Sequence, residues 1–174
     1  MVLLDDGAVR RTGALVLGSA LLAGSVLGAG AAYAAAPTGP TAKIGGWSKH
    51  VELKPGGASR TFTITVRNRT DHTLKGVDVG YSTYAAERPV LKEYTHGMWK
   101  TVPWGRTHQR NAGAPSFAAF ASGRTLKRGA TVTYTVRVSL PRHWDKSVSS
   151  VQAQAGARGE GWSDFRSVDF RVAR

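Results

Sequence analysis

Two stretches of this chain repeat one grammar, and together they leave little choice of fold. Across 61–67, Phe62, Ile64 and Val66 alternate with Thr61, Thr63, Thr65 and Arg67. Across 131–138, Val132, Tyr134, Val136 and Val138 alternate with Thr131, Thr133, Thr135 and Arg137. A period of two in β-branched and aromatic residues belongs to a strand with one buried and one wet face. Each stretch follows a glycine turn, Lys54-Pro55-Gly56-Gly57 and Leu126-Lys127-Arg128-Gly129, where Pro presets φ and Gly reaches φ > 0 without a Cβ clash. These two segments are expected to be central strands of a small β-sandwich.

The chain opens differently. Arg10-Arg11 precedes a charge-free apolar run, and small residues lead on to Ala32-Tyr33-Ala34. A positive start, an apolar middle and an A-x-A end form a secretory signal peptide, read here as residues 1–34 with the cut after Ala34; a cut after Ala36 is the alternative. The uncharged run exceeds the ~18 residues a membrane helix needs, so retention as an anchor stays open, and that is the one route to a membrane. Arg10-Arg11 leaves both the general and the twin-arginine export routes open, although Val9 and Gly13 depart from the twin-arginine pattern. No cysteine stands at the cut to take a lipid. Residues 35–46, AAPTGPTAKIGG, read as a linker by their Pro and Gly content.

Residues 47–174 are then one domain. Turn residues divide them into short alternating segments: an edge strand within 47–53 with Val51 and Leu53 inward, and 74–84 with Val77, Val79 and Tyr81 inward. A hairpin follows about His96-Gly97, then an apolar piece at 116–121, and 148–157. The last is 165–172, whose broken alternation between Phe165 and Val168 predicts a bulge. No helical periodicity is sustained after the signal. Spacing of this kind predicts an all-β sandwich of about 7–9 strands. The chain has no cysteine, so packing alone must hold it together. Its formal charge of +13 belongs wholly to residues 35–174, because Asp5 and Asp6 cancel Arg10 and Arg11. A domain this basic favours anionic partners.

The run LKPGG…FTITVRN-x-T, then Val77-x-Val79, then Glu93-Tyr94…Gly97-x-Trp99-Lys100-x-Val102-Pro103, then LKRGATVTYTVRVSLP is similar to the immunoglobulin-like modules of secreted actinobacterial cell-wall proteins, over residues from about 47 to 157. The resemblance implies the sandwich fold and an envelope setting; it names no activity. Such proteins often carry an LPxTG tail followed by a membrane helix. This chain ends in Phe170-Arg171-Val172-Ala173-Arg174, which leads us to expect a released protein or one held by charge.

Catalytic patterns are missing from the sequence: no G-x-S-x-G, no H-E-x-x-H, no phosphate-cradling glycine-lysine run and no cysteine nucleophile. Glu87, Glu93, Asp145, Glu160, Asp164 and Asp169 are scattered, mostly beside Arg or Lys, so the reading is a non-enzyme without cofactors. His96-Gly97-Met98 has donors that suit copper(I), but nothing in the spacing of the other histidines completes a site, and no metal is expected. Five tryptophans remain. Some must close the open ends of the core; others can stack on sugar rings while neighbouring guanidinium groups grip phosphate or carboxylate. Trp99, Trp104, Arg106 and Arg110 are the candidate ligand-binding residues, the last two on a loop spanning 103–115. The expected partner is an anionic cell-wall polymer or polysaccharide met outside the cell. An extracellular protein, docked by an edge strand or a loop (an inhibited hydrolase included), is the alternative. Nucleic acid ranks below both, since an exported protein rarely meets it.

Overall fold

The computed structural model of the protein describes residues 38–85, 87–105 and 115–174; the expected signal segment, Arg106 and Arg110 lie outside the described residues. Arg60–Asn68 forms β3 and Thr131–Ser139 forms β8, and these two lie side by side, antiparallel, with Phe62 opposite Val136 and Ile64 opposite Tyr134. Phe62, Ile64, Val66, Tyr134, Val136 and Val138 are buried, so the threonines and arginines between them face out, as the alternation requires.

Three further strands complete this sheet. Pro40–Gly45 (β1) pairs with β3 on one side. On the other, Val90–Thr95 (β5) pairs with β8, and Met98–Thr101 (β6) closes a hairpin on β5. The spatial order is β1-β3-β8-β5-β6. His96 (φ 50°) and Gly97 (φ 80°) both take the left-handed conformation that a two-residue hairpin of this twist demands. The strand β1 corrects the linker reading of 35–46 over its latter part. Pro and Gly in that stretch hide a Thr41-Ala42-Lys43-Ile44 alternation, and a proline at the first position of an edge strand forfeits no ladder bond.

The second sheet has the order β11-β10-β4-β7, built from Trp162–Ser167 (β11), Ala153–Gly159 (β10), Leu74–Thr83 (β4) and Ser116–Leu126 (β7). Its inner face supplies Val77, Val79, Tyr81, Ala118, Ala153, Ala155 and Ala157, which meet the first sheet's aliphatic row in one continuous core. The small third sheet, Glu52–Leu53 (β2), Phe170–Val172 (β12) and Ser150–Val151 (β9), closes one end over Val51, Leu53, Val151 and Phe170.

The protein is thus an all-β, immunoglobulin-like sandwich, with twelve strands among the described residues instead of seven to nine. Two differences account for much of the excess. The break between Phe165 and Val168 is not a bulge: the chain leaves the second sheet at Ser167 and joins the third at Phe170, with Val168 buried at the crossing. Between β10 and β9 the same switch occurs at Gln152, whose carbonyl accepts from the Tyr84 amide and the Thr83 hydroxyl. The irregular β4–β7 register, shifted near Val77 and Val79, is where bulges do occur.

Candidate functional site

Alternation and register together decide what the first sheet shows to solvent. The outward positions are Thr41 and Lys43 on β1; Thr61, Thr63, Thr65 and Arg67 on β3; Thr131, Thr133, Thr135 and Arg137 on β8. They continue with Lys92 and Tyr94 on β5 and Trp99 and Thr101 on β6. Not one is a carboxylate. Five strands at ~4.8 Å spacing make this face about 19 Å across. It is a hydroxyl-covered surface with cations set into it.

Its two ends differ. At the β6 end, Trp99 and Tyr94 are cross-strand partners with ring centroids 5.2 Å apart, and the Arg137 Cζ lies 3.9 Å from the Trp99 centroid. Tyr94 is 48% exposed, so the cluster is a solvent-facing platform and not part of the core. A guanidinium centred over an indole is a favourable cation–π arrangement, and its charge stays available to an anion at the surface. Thr61 lies within 3.5 Å of Arg137 Nε and steadies it.

At the β1 end a shallow depression of about 370 Å³ is lined by Lys43, Thr65, Arg67, Arg69, Thr131 and Arg166. Arg166 is committed elsewhere: its Nε lies 2.9 Å from Asp164 Oδ1. The same Asp164 accepts the Ala42 amide at 2.8 Å, which locks β1 against β11. Lys43, Arg67 and Arg69 make no ion pair among the described residues. Between the two ends the threonine hydroxyls contact one another, Thr65 to Thr133 at 3.1 Å.

Of the two expected site residues among the described residues, Trp99 stands on this face and Trp104 does not. Trp104 is turned the other way. Its Nε1 donates to the Pro89 carbonyl at 2.9 Å, and its ring meets Tyr81 edge-on at 5.9 Å beside the core. The structure therefore separates Trp99 from Trp104, and Arg106 and Arg110 lie outside the described residues. Trp47 and Trp144 also pack inward, Trp47 against Phe62 and Phe170. Tyr94, Arg137, Lys43, Arg67 and Arg69 were missed as site residues. The sequence carried a signal for most of them, the wet half of each alternation; what it lacked was the strand order that brings those halves together.

Carboxylates elsewhere in the domain hold the fold. Asp169 accepts the Ala153 amide at 2.7 Å and the Ser167 hydroxyl at 2.7 Å. Glu93 sits on the opposite side of β5, across from Lys100; burial pushes its carboxyl up while Lys100 pulls the other way. Among the described residues, no group of three or more His, Asp or Glu side chains is arranged to hold a metal ion.

No protein-family profile matches the chain, and no curated protein sequence does. Solved structures do resemble it. One is AvmM, which catalyses macrocyclization in alchivemycin A biosynthesis: TM-score 0.54, 13% identity, covering 78% of this chain and 89% of that one. Others are a cohesin module from a Clostridium perfringens family 33 glycoside hydrolase (TM-score 0.34, 12% identity, 76% and 94% covered) and a β-glucosidase from Listeria innocua (TM-score 0.41, 15% identity, 77% of this chain). This chain spans only 16% of the β-glucosidase. At such identities the likeness concerns the fold alone.

Proposed function

We propose that the protein is a secreted, non-catalytic binding module that holds an anionic envelope polymer, a cell-wall polymer or acidic polysaccharide, against the outer face of its first sheet. The observation that carries this reading is a five-strand face with Lys43, Arg67, Lys92 and Arg137 among threonines and no carboxylate at any outward position. On a domain of mixed charge, a face this wide without an acid is a field of one sign, which concentrates polyanions and orients them. Trp99 and Tyr94 add a flat aromatic platform on which a sugar ring stacks, while Arg137 reaches a neighbouring phosphate or carboxylate. The setting outside the cell rests on the signal-like segment at 1–34 and on the resemblance to actinobacterial wall modules.

Insoluble cell wall should retain the protein at low salt and release it near ~0.5 M, where the Debye length falls to a few ångströms. Trp99→Ala with Arg137→Ala should weaken retention about tenfold, ~1.4 kcal/mol. Retention indifferent to both salt and these substitutions would overturn the proposal. It would instead favour the second reading, a protein partner adding a strand at β6. That strand ends its sheet among the described residues, and its Met98 is 56% exposed.

A further inference from the structure

A second concavity lies apart from the polymer face and shares no residue with it. The turn after β2, the 142–148 segment and the end of β12 enclose a cleft of about 520 Å³. That volume falls within the range of small-molecule sites. Its inner surface is apolar, formed by Trp144, Val148, Val172 and the ring of Pro55.

Its rim is basic. Lys54, Arg142, Lys146 and Arg174 surround the opening, and none is in an ion pair among the described residues. The single acidic side chain there, Asp145, is engaged: its Oδ1 accepts the Ser147 amide and hydroxyl, each at 2.8 Å, so it closes its own turn. The rim thus carries four cationic side chains against the occupied Asp145 carboxylate and the α-carboxylate of Arg174, and so keeps a positive balance.

The walls are built in advance. Trp144 is almost fully buried and its Nε1 donates to the Val148 carbonyl at 3.3 Å. Backbone bonds from Val172 to Ser149 and from Ala173 to Leu53, both 2.9 Å, fix the strand side, and Gly56 to Leu140 at 3.1 Å fixes the turn. Gly56 has a further part. A Cβ there would stand 2.6 Å from Arg142 Cγ, so the missing side chain is what lets the Arg142 stem lie along the turn with its head at the rim.

We infer that this cleft binds a small amphiphilic carboxylate, an acyl chain or comparable apolar body seated on Trp144, Val148 and Val172 with its anionic head among Arg142, Lys146, Lys54 and Arg174. A sugar would meet almost no polar partner on the inner surface, and a cationic amphiphile would be repelled at the opening. Preformed apolar walls give the body its affinity, and the charged rim fixes its direction.

The test is isothermal titration of the 174-residue protein with laurate below its micelle concentration, with acetate and dodecyltrimethylammonium as comparisons. Laurate should bind in the micromolar range, and the other two at least a hundredfold more weakly, since one lacks the body and the other carries the wrong charge. Arg142→Glu with Lys146→Glu, both at the exposed rim, should weaken laurate at least tenfold and leave wall retention within twofold. Val148→Asp should abolish binding, provided its circular dichroism spectrum matches that of the parent. Laurate binding no tighter than millimolar overturns the inference. So does equal binding of the cationic amphiphile, or a rim reversal that leaves laurate unaffected.

Discussion

His72 stands between two carboxylates supplied from different parts of the chain. Its Nδ1 lies 2.8 Å from Asp71 Oδ1 and its Nε2 lies 3.1 Å from Glu160 Oε2. Glu160 also accepts the Lys75 amide at 3.1 Å, so the bridge ties the β10–β11 turn to the start of β4. Hydrogen bonds to Asp71 and then Glu160 raise the imidazole above its ordinary value, and the same bonds to His72 hold both carboxyls below theirs. A raised histidine stabilises the fold fully below its unfolded value of about 6.5, and that contribution is lost as pH rises through the folded value. The lowered carboxyls contribute above about 4 and lose it as pH falls. The urea midpoint of the parent should therefore exceed that of His72→Gln by most near pH ~5.5, with the gap closing by about pH 8; a pH-independent gap would show that shape and not charge holds the bridge. Neighbouring Asn68 illustrates a different use of a polar side chain. It is fully buried, with Nδ2 donating to the His72 and Leu126 carbonyls at 2.8 and 2.9 Å and Oδ1 accepting from the Thr70 amide and hydroxyl. Asn68-Arg69-Thr70 matches a glycosylation acceptor by spacing, yet an amide spent in this way has nothing left to offer a glycan.

Strands whose identity lies in their own alternation were legible; strands defined by what they abut were not. The segments β3, β8 and β4 could be read with the correct faces because a period of two reports burial directly. The turn at His96-Gly97 was legible for an equally local reason, its glycine. By contrast, β1 is specified by its place beside β3 and by the Asp164 carboxylate some 120 residues later in the chain, which no local pattern encodes. The crossing at 167–170 is of the same kind. The facing glycines Gly80 and Gly156 were equally silent in sequence, though they govern how β4, β10 and β11 approach. Phe117 from β7 and Phe165 from β11 meet edge to face at 6.3 Å, and a Cβ on Gly80 would run into the Phe117 ring. A Cβ at Gly156 would run into the Asp164 carbonyl oxygen and lie 2.8 Å from Phe165 Cα. Both obstacles are backbone and cannot rotate away, so β10 and β11 would have to part. Gly156→Ala should cost about 1–3 kcal/mol in chemical denaturation. Gly97→Ala is the instructive comparison: open space surrounds its Cβ position, and only its φ of +80° is penalised, by about 1 kcal/mol. If Gly156→Ala proved neutral, the close seating of these two strands would be wrong.

At the scale of the whole molecule, net charge and charge placement make different predictions. The sequence supplied the first, +13, and with it the expectation of an anionic partner. It could not supply the second, because Lys43, Arg67 and Arg137 become neighbours only through the order β1-β3-β8-β5. For the same reason Trp99 and Trp104, five residues apart, were read as one site although the structure turns one to solvent and the other onto Tyr81. A protein that binds polyanions through its overall charge should respond equally wherever charge is removed; one that binds through a face should not. Lys43→Glu, Arg67→Glu and Arg137→Glu together remove six units of positive charge from the acid-free face. Arg124→Glu, Lys127→Glu and Arg128→Glu remove the same six from the end of β7 and the turn before β8. With heparin as a generic polyanion at moderate salt, three lost contacts of about 1 kcal/mol each put the first variant roughly a hundredfold below the parent. The second, which leaves every outward side chain of that face in place, should fall by less than about tenfold, because solvent and salt weaken the pull of exposed charges that do not touch the polymer. Equal losses in the two variants would mean that the threonine-lined sheet is a passive surface and that the molecule binds as a diffuse cation.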